Sequence, residues 1–160
     1  DKYESSRLIS HAFFTIGGDP KYLNWFLRLF DSFGRPVEVI SKEDKVRYHA
    51  AAAMASNLYV GLANMCEQML RDCGFSVANA HRALSPLMIG NTENIIQYGP
   101  VGALTGPIER NDLTTVMDHL ESLSEQEQKV YKILSGDVIN VAKMKHPERD
   151  YSEMERMLNS

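Results

Sequence analysis

The chain has 160 residues, about the length of one ordinary domain, which is enough to enclose a hydrophobic core. Its 44% hydrophobic and 24% charged residues are typical of a globular protein and argue against a disordered or fibrous one. The formal net charge of -4 argues against nucleic-acid binding, which would require a basic surface. No apolar run approaches the roughly 18–20 residues of a membrane span, so we expect neither nucleic acid nor membrane as a partner.

The first elements in chain order predict a β-α-β unit. The apolar run 12–17 is typical of a short strand, and Asp19 with Pro20 forms a paired helix-start signal. Apolar residues then recur at helical spacing as far as Gly34, and VEVI at 37–40 predicts a second, parallel strand. Two strands do not form an independent domain. Because the chain also begins at Asp1 rather than at a methionine, we expect a fragment of a longer protein.

One long helix is predicted next, over about 43–73. Ser41 and Asp44 resemble a capping box, and an apolar stripe with a period near 3.6 follows for about 30 residues. Such a helix must be covered along its length, which predicts a homodimer with an interface on the order of 2,000 Å² or more. Cys66 and Cys73 would lie about 10 Å apart on this helix, too far for a disulfide. We therefore expect free thiols and a cytoplasmic protein.

The rest of the chain is predicted to be helical. Ser76 caps a helix that Pro86 interrupts and that ends near Tyr98. The segment 99–112, GPVGALTGPIERND, predicts a structured loop. Caps at Asn111 or Asp112, and at Ser124, predict helices over 113–122 and 125–145, before a frayed terminal helix at 151–158.

Two stretches, KVRYHAAAAMASN (45–57) and GPVGALTGPIERND (99–112), together with DHL (118–120), resemble the DUF2520 family of Rossmann-like proteins. That family is similar to 6-phosphogluconate dehydrogenase, pyrroline-5-carboxylate reductase and F420-dependent NADP oxidoreductases. The resemblance implies a mainly α fold, in which the C-terminal edge of a Rossmann-like domain (1–41) precedes a helical substrate and dimerisation domain (42–160). It also implies an NAD(P) cofactor. No GxGxxG fingerprint occurs in these residues, so we expect that cofactor to bind mainly outside the chain.

Lys45 and His49 are the candidate catalytic residues, and they lie one turn apart on the long helix. His49 has the chemistry of a proton donor near neutral pH, and Lys45 that of a contact for an anionic substrate. Related dehydrogenases carry a catalytic lysine at the position of Ala53, and its absence here departs from the usual hydride-transfer site. The alternative is a tight helix crossing at the alanines, with His49 bonded to a neighbouring loop.

The predicted substrate-binding residues are Ser56, Asn57, Thr105, Gly106 and Arg110. Asn57 is either a pocket residue or a buried polar residue that fixes helix register. The glycines and prolines of 99–110 either fix a sharp connection or bring Thr105, the Gly106 backbone and Arg110 to the pocket. We expect His49, Asn57 and the Thr105–Arg110 loop to converge on one cleft. No combination of residues predicts a metal site.

Two functional hypotheses remain. The first is the substrate-binding and dimerisation part of an NAD(P)-dependent oxidoreductase-like protein. The second is a non-catalytic small-molecule-binding or assembly module derived from a dehydrogenase fold. The missing lysine favours the second hypothesis, whereas the polar stripe and the glycine-rich loop favour the first.

Overall fold

The computed structural model describes residues 13–35 and 37–159, and these are mainly helical. At the start, two short strands flank one helix: β1 (Phe14–Ile16), α1 (Pro20–Ser32) and β2 (Val37–Val39). The strands pair in parallel, with Phe14 opposite Val37. The predicted β-α-β unit is confirmed, although both strands are shorter than expected. Residue 12 of the predicted first strand lies outside the described residues.

Helix α1 begins and ends where its sequence signals predict. The Asp19 carboxylate accepts a hydrogen bond from the amide of Lys21 at 2.8 Å, and Pro20 occupies the first helical position. After the helix, Gly34 adopts a φ of 63°, the left-handed conformation that glycine reaches without steric cost. The amide of Gly34 bonds back to the carbonyl of Asp31 at 2.8 Å, which closes the helix end.

The predicted long helix is confirmed, with one local difference. It consists of α2 (Lys45–Ala53), a π-helical segment (Met54–Leu58) and α3 (Tyr59–Asp72), and the backbone stays helical at both junctions. A π turn holds one more residue than an α turn, so the side chains beyond it are rotated by about 100°. The prediction of one uniform stripe along this helix is therefore wrong beyond Met54.

The later helices are α4 (Val77–Ala103), α5 (Leu113–Ser122), α6 (Glu125–Lys145) and α7 (Ser152–Asn159). Ser76, Asp112 and Ser124 each accept a bond from a backbone amide in the first turn, as predicted. The capping box between Ser124 and Glu127 is complete, with the Ser124 amide 2.8 Å from the Glu127 carboxylate. No residue in the described range 40–159 belongs to a strand.

Two predictions about α4 are wrong. The helix continues through Pro86, because a proline inside a helix removes one donor and crowds one carbonyl without always ending the helix. The true interruption is Gly99, whose φ of 69° and ψ of 171° suit a residue without a β-carbon. One further helical turn, 100–103, then occupies the start of the predicted loop.

The terminal helix is also different from the prediction, because α7 is packed rather than frayed. Its Met154 and Leu158 are buried, and Tyr151 immediately before it is only 1% exposed. These three residues belong to one hydrophobic core, together with Ile108, Val116, Ile139 and Ala142. The burial of its apolar side chains explains why this short helix is held in place.

By compactness the chain divides into a first unit up to Leu62 and a second unit from Ala63 onward. The hydrophobic core lies in the second unit. The predicted boundary between residues 41 and 42 was drawn from the resemblance to other proteins rather than from compactness, and it stays a prediction.

Candidate functional site

The first unit contains a cleft of about 700 Å³ where β1 and β2 end. Its lining includes polar and backbone groups of Thr15, Gly17, Gly18, Ile40 and Lys45. It also includes the rings of Tyr22, Phe26, Phe30 and Tyr48, the last of which lies one turn from Lys45 on the same helix. Ligands of parallel α/β units commonly bind at the carboxyl ends of the strands, and this volume is typical of small-molecule sites.

Because Gly17 has no side chain, the ends of the two strands and the long helix can lie close together. A β-carbon on Gly17 would lie 2.5 Å from the carbonyl oxygen of Ile40 and 3.0 Å from Cε of Lys45. The backbone carbonyl cannot move away as a flexible side chain would. Gly17 is therefore required for the close approach, and the stem of Lys45 lies across it.

Among the described residues that line the cleft, Lys45 carries the positive charge. Its side chain is exposed, and no ion pair in the described part of the chain involves it. Asp19 also lines the cleft, but its carboxylate is bonded to the amide of Lys21 as the cap of α1. The ammonium group of Lys45 is thus available to an anionic ligand.

His49 lies one turn after Lys45 and is exposed. Residues four apart on an α-helix share a face, so the predicted pairing of Lys45 and His49 agrees with their positions in α2. Within residues 13–35 and 37–159, His49 makes no hydrogen bond to a neighbouring loop, so the alternative of a loop-bonded His49 has no support there. The role of His49 as a proton donor stays a prediction.

Ser56 and Asn57 occupy the π-helical segment, which sequence periodicity could not have revealed. The Ser56 hydroxyl lies 2.6 Å from the Ala52 carbonyl and 2.9 Å from Oδ1 of Asn57, and its single proton serves these two acceptors. Both residues are exposed in the single chain, and the choice between a pocket role and a register-fixing role for Asn57 stays open. Single π turns frequently occur at functional sites, which adds weight to the predicted binding role.

The Thr105–Arg110 loop belongs to the second unit and is firmly anchored there. Thr105 and Arg110 are exposed, Gly106 has a φ of 105°, and Ile108 is buried in the core. The loop therefore has a structural role through Ile108, while the side chains of Thr105 and Arg110 face solvent. Its predicted role in substrate binding stays a prediction.

The anchor itself consists of residues that sequence reasoning missed. The Glu109 carbonyl accepts bonds from the Arg149 guanidinium and, at 2.7 Å, from the Tyr151 hydroxyl. The Glu109 carboxylate pairs with His146. Nothing in the local sequence singles out His146. Its partner lies 37 residues away in sequence, so no local pattern could have indicated the pair.

The electrostatics of this anchor favour an ionised glutamate. The hydrogen bond from His146 lowers the pKa of Glu109, and the nearby charges of Lys145, His146 and Arg149 lower it further. In the same unit, burial raises the pKa of the Tyr131 hydroxyl, which lies 3.0 Å from Nδ1 of His119.

The predicted site residues thus fall into two groups. Lys45, His49, Ser56 and Asn57 lie in the first unit, and the Thr105–Arg110 loop lies in the second. Within the first unit, the structure joins Ser56 to Asn57 and places Lys45 in the cleft. The convergence of both groups on one site stays a prediction. The aromatic wall of the cleft was not foreseen, because its residues fitted the apolar face of α1 equally well.

The fold and the cleft define a mainly helical protein with a small parallel β-α-β unit. The sequence model of the family DUF2520, described as a domain of unknown function, matches residues 12–138. The chain belongs to the DUF2520 family. Its fold is similar to that of protein TM1727 from Thermotoga maritima, known from a crystal structure, with a TM-score of 0.56 and 27% sequence identity. The similarity covers 89% of this chain and 53% of that protein, so the chain spans about half of its length.

No protein of curated function matches the chain. Both cysteines are free thiols, as predicted. Among the described helices, none combines the length and the apolar character that crossing a membrane requires.

Proposed function

We propose that the chain is the substrate-binding and dimerisation part of an NAD(P)-dependent oxidoreductase-like protein. The observation that carries the proposal is the cleft of about 700 Å³ at the carboxyl ends of two parallel strands, with Lys45 in its wall. This is where ligands bind in parallel α/β folds. Of the proposed substrate contacts, Lys45 lines this cleft, whereas the other residues do not belong to its lining and stay proposed contacts: His49, Ser56, Asn57, Thr105, Gly106 and Arg110.

The cofactor is proposed to bind mainly outside these residues. A dinucleotide pyrophosphate usually lies at a helix N-terminus that follows a glycine-rich turn. Here the turn after β1 contains Gly17 and Gly18, but the N-terminus of α1 is occupied by the Asp19 carboxylate. A second anion at the same amides would meet a negative charge, so this turn is unsuited to the pyrophosphate.

Dimerisation is proposed because the long helix buries none of its residues. Several large apolar side chains of residues 45–62 are more than 60% exposed: Val46 at 79%, Met54 at 63%, Leu58 at 61% and Val60 at 69%. Helix α4 has the same character in Leu87 at 68% and Ile96 at 80%. Exposed apolar surface of this extent is typical of a protein interface. A second copy of the chain is the proposed cover.

The alternative is a non-catalytic small-molecule-binding module. Ala53 stands where related dehydrogenases have their lysine, and no other lysine lies between residues 46 and 128. An imidazole is well suited to proton transfer near neutral pH, so His49 is the proposed proton donor on this helix. The two candidates differ in one respect that can be measured, namely whether a nicotinamide cofactor binds and is turned over.

The test is nucleotide binding by the protein expressed from its whole natural reading frame. We expect NADH or NADPH to bind, and a strand followed by GxGxxG to be encoded outside these residues. His49→Ala should then abolish oxidoreductase activity without lowering the melting temperature. If a reading frame with that fingerprint yields a protein that binds neither nucleotide, the oxidoreductase role is wrong and the non-catalytic module is favoured.

A further inference from the structure

The residues that line the cleft of the first unit restrict the chemical class of its ligand. We infer that it binds a small organic monoanion with a planar apolar body, with the charged end at Lys45 and the body against the rings of α1. The inference rests on the proposed substrate-binding role and adds the class of ligand to it. Two features of the cleft lining lead to it.

The first feature is the placement of the lysine. Cε of Lys45 lies 3.0 Å from the position of a β-carbon on Gly17, so its Nζ, one bond further, lies at the strand ends. The backbone at Gly18 is open, since no atom lies within 4 Å of the position of a β-carbon there. A charged oxygen bound at Lys45 would form the kind of charge-assisted hydrogen bond that is stronger than a neutral one.

The second feature is the set of aromatic side chains in the cleft lining. The side chains of Tyr22, Phe26 and Tyr48 line the cleft and are 55%, 43% and 48% exposed. Aromatic faces of this kind pack against planar apolar groups at centroid distances of about 4.5–7 Å. Phe26 is itself held edge-on by Trp25, with ring centroids 4.9 Å apart. The contact with Trp25 therefore stabilises the Phe26 ring, against which a flat ligand would pack.

The charge of the ligand follows from Asp19. Among the described residues, the cleft lining has one ammonium group, on Lys45, and one carboxylate, on Asp19. The ammonium of Lys21 lies 5.5 Å from the centroid of the Tyr22 ring but is not part of the lining. A monoanion neutralises Lys45, whereas a second negative charge on the ligand would be repelled by Asp19. Since no arginine of residues 13–35 and 37–159 lines the cleft, these residues do not offer the bidentate recognition typical of phosphate sites. A carboxylate is thus a better match than a phosphate.

The experiment uses naphthoate as the anionic probe and naphthamide as its neutral isostere. Both are titrated into the isotope-labelled 160-residue chain and followed by amide chemical shifts. We expect naphthoate to bind roughly tenfold more tightly than naphthamide, with the largest shifts at Gly17, Gly18 and Lys45. Lys45→Met should remove that preference, because it keeps the linear stem and deletes only the charge.

Lys42→Met is the matched control, because Lys42 is also exposed and lies outside the cleft lining. The preference for naphthoate should survive in this variant. The inference is overturned if naphthamide binds as tightly as naphthoate, if both variants lose the preference equally, or if the shifts lie away from the cleft. It is also overturned if naphthoate does not bind. Nucleotide binding and dimerisation use other probes, so their failure is distinguishable from the failure of this inference.

Discussion

The two ends of the chain differ in how far their apolar side chains are buried. In residues 104–159, Tyr151, Met154 and Leu158 are buried against Ile108, Val116 and Ile139. In the described residues up to 62, by contrast, no side chain is buried, although the segment is rich in large apolar residues. The same physical tendency to remove apolar surface from water is satisfied at one end and unsatisfied at the other.

This difference suggests that the residues that stabilise the protein and the residues that bind ligands or partners lie in different units. The C-terminal core and the Glu109 anchor stabilise the second unit from within its own residues. The first unit retains an open cleft and exposed apolar helical surface, which are features of binding. Substitutions should therefore affect stability most in the second unit and ligand or partner binding most in the first.

The largest effect is expected at Met154. Met154→Ala should lower the free energy of unfolding by about 2–5 kcal/mol, because it deletes a fully buried side chain and leaves a cavity. Met144→Ala is the matched control, since Met144 is 69% exposed. Its effect should stay within about 0.5 kcal/mol. Urea denaturation measures both, and equal losses would mean that the burial of Met154 in the C-terminal core does not stabilise the fold.

Next in size is a substitution at the strand ends of the first unit. Gly17→Ala should destabilise the β-α-β unit by about 1–3 kcal/mol, because its β-carbon would clash with the Ile40 carbonyl. Gly18→Ala should be close to neutral, since no atom lies within 4 Å of the added carbon. Thermal unfolding followed by the fluorescence of Trp25 reports on this unit. A tolerated Gly17→Ala would contradict the close approach on which the cleft depends.

A smaller effect is expected from pH at the Glu109 anchor. The hydrogen bond from His146 lowers the pKa of Glu109 in the folded state. Its stabilisation is therefore present above the unfolded pKa of about 4.3 and is lost as the pH falls through the lower folded pKa. Glu109→Gln should remove this part of the acid dependence.

The control for that experiment is Glu153→Gln, because Glu153 is exposed at the start of α7. Denaturation at neutral pH and at about pH 3 gives the change in unfolding free energy for each variant. We expect a smaller change with pH for Glu109→Gln than for Glu153→Gln. The same change in both variants would show that the ion pair with His146 does not stabilise the fold.

Much of the fold could be predicted because its signals are local. Asp19, Asp112 and Ser124 lie next to the helices that they cap, so each helix start could be predicted closely. The packed terminal helix could not be predicted, because Met154 and Leu158 are buried by residues distant in sequence.

The candidate site was less predictable than the fold. Lys45 was recognised by its place on the long helix, whereas the rings of Tyr22 and Phe26 had an equally good interpretation as core. The π-helical turn around Ser56 arises without any change in composition, so the angular relation between His49 and Ser56 could not be fixed from sequence. The Glu109 anchor depends on pairs about 40 residues apart, which no local pattern reveals.

The central claim is that the exposed apolar surface of the first unit and of α4 is covered by a second copy of the chain. Sedimentation equilibrium at tens of micromolar should give twice the 18.1 kDa of one chain. Val60→Lys should shift this equilibrium to monomer, whereas Met144→Lys should not, although both residues are 69% exposed. A wild-type mass of one chain under these conditions would contradict the account.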